Sequence, residues 1–168
     1  MSGEYLGKFR GTVVQNLDPQ QMGRIQALVP SISALTPSSW ALPCVPFAGK
    51  QSGIFVLPAI GSAVWIEYEQ GELDYPIWTG GFWGSAAEMP AMALAGNPLS
   101  PSIVLASALQ NSITISDLPG PAGGIQIRSA GGASILVNEV GITITNGAAT
   151  IVLAGPSVTI NNGALAVT

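Results

Sequence analysis

From Ile103 onward, apolar residues return in pairs two positions apart, separated by polar and glycine-rich stretches. Ile103 pairs with Leu105, Ile113 with Ile115, Ile125 with Ile127, Ile135 with Val137, Ile142 with Ile144, Ile151 with Leu153, Val158 with Ile160, and Leu165 with Val167. Residues two apart project to the same side of an extended chain, so each pair predicts a short strand with one dry face. Thirteen of the sixteen are β-branched, the type that a packed strand prefers. The other face is mostly Ser, Thr, Gln and Asn, with Val104, Leu136 and Val152 also turned outward. Turn-formers lie between the pairs, among them Pro119-Gly120, Gly123-Gly124, Gly131-Gly132, Asn146-Gly147, Gly155-Pro156 and Asn162-Gly163. First residues of successive units are 10, 12, 10, 7, 9, 7 and 7 positions apart, which predicts a β-helical solenoid of eight units that tightens toward the C-terminus. Such strands read as too short and too closely spaced for ordinary hairpin sheets. Whether one chain closes the solenoid stays open, because its isoleucines must be buried against something.

Upstream the pattern is looser. Residues 5–17 and 24–29 read as two strands of a hairpin with a long turn through Asp18-Pro19-Gln20-Gln21-Met22-Gly23. Residues 40–47 read as an irregular edge segment, because Pro43 and Pro46 cannot donate to a central ladder. Further strands are expected over 53–58, 63–69 and 76–82; in the second, Val64, Ile66 and Tyr68 face opposite to Trp65, Glu67 and Glu69. Five short strands without a helical period predict an all-β chain opening with a five-stranded barrel of the oligonucleotide/oligosaccharide-binding (OB) type. That fold hosts many functions and by itself settles none.

Charge divides the chain. Of five basic and nine acidic residues, only Asp117, Arg128 and Glu139 follow Glu88. The division predicts a barrel domain over 1–87, a linker over 88–102 and a repeat domain over 103–168. Only 8% of residues are charged while 48% are apolar, and the net charge is −4. The five cations form no cluster, so no nucleic-acid partner is expected. The single cysteine, Cys44, stands between Pro43 and Val45 and reads as a small buried side chain. The first eight residues lack the basic start and apolar run of a secretory signal, so synthesis and assembly in the cytoplasm are expected. The stretch 86–109 is broken by Pro90, Pro98 and Pro101, and falls short of the roughly 20 apolar residues that span a bilayer.

The runs Gly11-Thr12-Val13-Val14, Gly23-Arg24-Ile25-Gln26-Ala27-Leu28-Val29-Pro30, Gly53-Ile54-Phe55-Val56-Leu57-Pro58, Gly61-Ser62-Ala63-Val64-Trp65-Ile66-Glu67-Tyr68 and Tyr75-Pro76-Ile77-Trp78-Thr79-Gly80-Gly81 resemble the barrel domain of contractile-tail spike proteins. That family includes phage baseplate assembly protein V, the valine-glycine-repeat proteins of type VI secretion, and the spikes of extracellular contractile injection systems. The C-terminal units, with Gly123-Gly124-Ile125, Gly141-Ile142 and Asn161-Asn162-Gly163-Ala164-Leu165, resemble its intertwined triple-stranded β-helix. The resemblance implies a homotrimeric, structural puncturing device of a virion or phage-tail-like particle. A baseplate hub protein would hold its barrel end, a PAAR-like tip protein would dock on Ala164, Leu165, Ala166, Val167 and Thr168, and a target cell envelope would be pierced on sheath contraction. In such a needle each prism face stacks strands from the three chains in turn, about 4.8 Å per strand, to a length of roughly 40 Å.

Burial points the same way. Fully burying Ile or Val contributes on the order of 1.5–3 kcal/mol, but ordering the backbone costs about 1–2 kcal/mol per residue, and an isolated coil exposes strand edges. Three chains solve both problems, with the sixteen paired residues as the trimer core. No enzyme, cofactor or metal is expected. The chain has no histidine, which removes the commonest general base and imidazole metal ligands. The carboxylates Glu67, Glu69, Glu72 and Asp74 are the remaining catalytic candidates, as a glycosidase-like pair; a solvated strand face and turn accounts for them better. Certain family members carry a wall hydrolase between barrel and needle, but here residues 85–102 are too few for one. Trp40, Trp65, Trp78, Trp83, Phe47, Phe55 and Phe82 could stack bases, yet without interleaved Lys or Arg they read as barrel core or protein interface. The alternative function is a trimeric fibre whose OB head binds a glycan or receptor.

Overall fold

The computed structural model describes residues 5–95 and 97–167, and the chain divides into two compact units, 1–86 and 87–168. Among the described residues no helix is long and apolar enough to cross a membrane.

The strands of the first unit are β1 (Phe9–Gln15), β2 (Gln26–Leu28), β3 (Leu42–Pro43), β4 (Ala48–Gly49), β5 (Ser52–Gly53), β6 (Ala63–Tyr68) and β7 (Pro76–Gly81). Five of them form one sheet in the order β2, β1, β6, β7, β3, antiparallel throughout except for β3 beside β7. The sheet curls far enough that Ile25, next to β2, and Ala41, next to β3, exchange backbone hydrogen bonds of 3.2 and 2.7 Å. That bridge ties the outer strands together, as barrel closure requires. Alternation along β1 and β6 turns Val13, Val64, Ile66 and Tyr68 inward, where they meet Ile25, Ala27, Val29, Ala41 and Trp78. The Trp78 indole N–H, taken out of water, donates to the Gly23 carbonyl at 3.1 Å.

The strand expected over 53–58 does not form. Only Ser52–Gly53 pairs, in a two-residue hairpin with Ala48–Gly49, and Ile54, Phe55 and Val56 stand exposed. An unbroken apolar run looks like a buried strand but needs a ladder partner. Its place in the sheet is taken by β3, on an edge where Pro43 tolerates its missing N–H. Cys44 follows on that edge, and its thiol is exposed rather than buried: its backbone N–H donates to Trp78 at 2.9 Å while the side chain turns to solvent.

In the second unit a single helical turn, α1 (Ala91–Leu94), precedes eight strands: β8 (Ile103–Ala106), β9 (Ser112–Ser116), β10 (Gly124–Arg128), β11 (Ser134–Asn138), β12 (Gly141–Thr145), β13 (Thr150–Ala154), β14 (Ser157–Ile160) and β15 (Leu165–Val167). Each pairs antiparallel with its sequence neighbours in one eight-stranded sheet. The expectation that strands this short cannot make hairpins is therefore corrected, because a reversal needs as few as two residues. Between β11 and β12 those two are Glu139 and Val140, held by the Asn138 carboxamide oxygen, which accepts from Val140 and Gly141 at 2.9 and 3.2 Å. Each inner strand has both edges filled by its own chain.

Candidate assembly surface

The apolar pairs fall opposite one another across the whole sheet. One row runs Ile103, Ile115, Ile125, Val137, Ile142, Leu153, Val158 and Val167; the second runs Leu105, Ile113, Ile127, Ile135, Ile144, Ile151, Ile160 and Leu165. All sixteen sequence-predicted core positions are thus cross-strand neighbours. Twelve of them are 37–66% exposed, and Ile142, Val158 and Ile160 are half-buried, so the chain by itself leaves this face uncovered. A contiguous apolar surface of this kind marks an interaction site.

The opposite face has a central row of Val104, Thr114, Gln126, Leu136, Thr143, Val152 and Thr159. Its three apolar residues, all half-buried, are never adjacent in it, each being flanked by Thr or Gln. The Thr114 hydroxyl is buried without a hydrogen-bond partner. Turns are stapled along both margins of the sheet. On one, Asn111 Oδ1 accepts from Ala130 N and Asn161 Oδ1 from Thr150 N, both at 3.0 Å. On the other, Glu139 Oε2 accepts from Gly120 N at 2.9 Å and Asn138 Nδ2 donates to Pro121 O at 3.3 Å.

Of the predicted docking residues, Leu165 is exposed and β15 is the terminal strand of the sheet, with one edge unpaired by the chain. Ala164 lies in the preceding turn, and Thr168 lies outside the described residues.

The four carboxylates do not converge. Glu67 Oε1 is 2.6 Å from Lys8 Nζ, which also donates to Thr79 Oγ1 at 3.1 Å. Glu69 and Asp74 line a groove with Arg24, Trp40 and Tyr75, whereas Glu72 shares a smaller depression with Glu69. The aromatics are dispersed as well. Trp78 is core, Trp65 packs on Phe82 with ring centroids 4.7 Å apart, and Phe47, Phe55 and Trp83 are exposed. What the sequence concealed is cationic company. Arg10, directly opposite Trp65 across β1 and β6, places its guanidinium 5.6 Å from the Trp65 ring and 5.3 Å from Phe82, and Arg24 sits 5.5 Å over Trp40. Arg24 is also held by Asp18, whose carboxylate accepts from its Nη2 at 2.6 Å and Nε at 3.0 Å and from the backbone N–H groups of Gln20, Met22 and Arg24. The Arg24 hydrogen bonds, with those backbone donors, hold Asp18 well below the usual carboxylate range.

A second apolar surface belongs to the first unit. Met22, Gly23, Pro43, Val45, Ile54 and Phe55 line an open groove of about 400 Å³, beside the exposed Phe47 and Val56.

Two family models match. Residues 9–83 fit the type VI secretion system/phage-baseplate injector OB domain, and residues 102–166 fit the phage baseplate V C-terminal trimerisation domain. No curated protein matches the chain.

Proposed function

We propose that this chain, a member of the spike family of phage baseplates and type VI secretion systems by its two matched domains, is the central puncturing spike of a contractile injection machine. The family makes it a trimeric spike of the phage-baseplate type, a component of a virion or tail-like particle. In our reading three copies face their isoleucine rows inward and close the core that one chain leaves open. The sixteen paired residues are that core. The OB unit attaches to a ring-shaped hub, for which the apolar groove around Phe55 is the best-suited surface. The open edge of β15 receives a tip protein by backbone pairing, with residues 164–168 as the dock. Sheath contraction then drives the needle into a target envelope. The role is mechanical, with no chemical step, and assembly takes place in the cytoplasm.

The observation that carries this reading is the pair of uncovered apolar rows. Covering half of an Ile or Val side chain contributes roughly 1 kcal/mol, so each copy gains on the order of 10 kcal/mol or more from closing the core. Light scattering on the purified full-length chain tests it. A stable trimer is expected, and Ile144→Asp, which puts a charge in the second row, should abolish it; a folded, soluble wild-type monomer overturns the reading. The groove holding Trp40, Tyr75, Glu69 and Asp74 favours the one alternative, a glycan-binding head. Deleting residues 103–168 separates the two, since a binding head keeps its ligand whereas a spike loses particle assembly.

A further inference from the structure

The eight-stranded sheet and its turns carry only three charged side chains, and the fold sorts them by sign. β9 and β10 pair Ser116 with Gly124 at one margin and Ser112 with Arg128 at the other. Arg128 therefore stands at one margin, and Asp117, following Ser116, stands at the opposite one. Glu139 lies on the Asp117 side, and its carboxylate reaches back to Gly120 in the β9–β10 turn. Both acids thus sit within about two strand spacings, roughly 10 Å, of the level of Arg128. A five-residue strand is about 16 Å long, so Arg128 cannot reach either acid of its own chain. Among the described residues neither Arg128 nor Asp117 has an ion-pair partner, and Arg128, Asp117 and Glu139 are all exposed.

We propose that Arg128 of one copy pairs with Asp117 and Glu139 of the next around an axis running along the strand stack, so that the three corners of the spike are locked by charge. This rests on the three-copy reading above. In a closed ring of identical copies every contact is heterologous, so the Arg128 margin of each sheet meets the acidic margin of its neighbour at the same height. A face-to-face pair of copies with opposed stacking directions would instead bring like margins together. The apolar rows cannot supply this discrimination. Their Ile-x-Ile units are so alike from strand to strand that a slip of two strands between copies keeps the dry faces matched, as weakly specified registers allow. Such a slip leads to staggered, open assemblies in place of a closed trimer. It also leaves Arg128 within reach of only one of the two acids, because Asp117 after β9 and Glu139 after β11 flank its level on β10. Three charges on an otherwise uncharged sheet thereby do for this needle what a single polar position does for a coiled coil, which is to select register.

The test is a charge-reversal cycle in the full-length chain, read by sedimentation at low and high salt. Arg128→Glu alone, and Asp117→Lys with Glu139→Gln alone, are each expected to raise the trimer dissociation constant about tenfold or more, summed over three corners. Gln at 139 keeps the acceptor for Gly120. The combined Arg128→Glu, Asp117→Lys, Glu139→Gln chain, with the pair restored in the opposite sense, should return to within a few-fold of wild type, and every difference should shrink in high salt. A trimeric wild type with reversals that change nothing, or a combined variant as weak as its parents, overturns the charge lock and leaves the three-copy reading intact. A wild type that is not trimeric overturns the three-copy reading itself.

Discussion

Asp18 shows what one residue does to the turn that joins β1 to β2. Its five accepted hydrogen bonds come from Gln20, Met22 and Arg24, so the carboxylate organises the reversal and fixes the guanidinium that lies over Trp40. Because its folded pKa is depressed, the stability it contributes is present above the unfolded carboxyl value, about 4, and is lost as pH falls below that toward the folded value. Asp18→Asn is accordingly expected to lower the thermal midpoint by a few degrees at neutral pH, with the gap to wild type closing as pH drops below about 4; melts recorded across that range check it, and a gap that stays constant speaks against the assignment. The turn itself was legible from Asp18-Pro19 and Gly23. The convergence of donors was not, since it depends on where the loop folds its own N–H groups. Cys44 and Arg10 teach the same lesson. Flanking residues made the thiol look buried, and sequence distance made Arg10 look unrelated to Trp65, until edge and cross-strand pairing placed them.

Among the elements, the β12 hairpin depends on the backbone freedom of Gly141. Its φ is +150°, and a Cβ there would stand 2.0 Å from the Leu153 carbonyl oxygen of β13. Gly147, at φ +96° in the next turn, has nothing within 4 Å of the same position. Gly147→Ala should cost only the backbone penalty, about 1 kcal/mol, whereas Gly141→Ala adds a backbone clash and should cost more than about 3 kcal/mol; urea unfolding of the assembled protein separates the two, and equal losses would contradict the steric argument. The strand units of 103–168 were all readable, because a period of two is visible in any short window. Their pairing was not: interval lengths of 7 to 12 residues admit both a solenoid coil and a tight reversal, and only the Asn138 cap and the glycine conformations show that the chain reverses. The run 53–58 failed for the converse reason, as apolar character was present without a ladder to join.

At the level of the whole molecule the two units differ in how they reach stability. The OB unit owns a closed core of Val13, Ile25, Val64, Ile66, Tyr68 and Trp78. The second unit is a sheet whose apolar rows its own chain leaves exposed, the face that we propose other copies cover. Residues 1–86 alone are therefore expected to unfold cooperatively at a midpoint independent of protein concentration, while residues 87–168 alone should melt at a midpoint that rises with concentration; calorimetry over a hundredfold dilution range checks both, and a concentration-independent second unit would contradict the shared core. By itself the sequence determined which sixteen residues share one apolar face, that charge deserts the chain after Glu88, and that imidazole chemistry is absent, because alternation and composition are local properties. Only the tertiary structure decided which strands are neighbours, that each chain fills the edges of its own inner strands, that Arg10 lies against Trp65, and that Arg128 and Asp117 end on opposite margins. Those facts follow from hydrogen-bond register between segments distant in sequence, and register is set by how each turn reverses the chain.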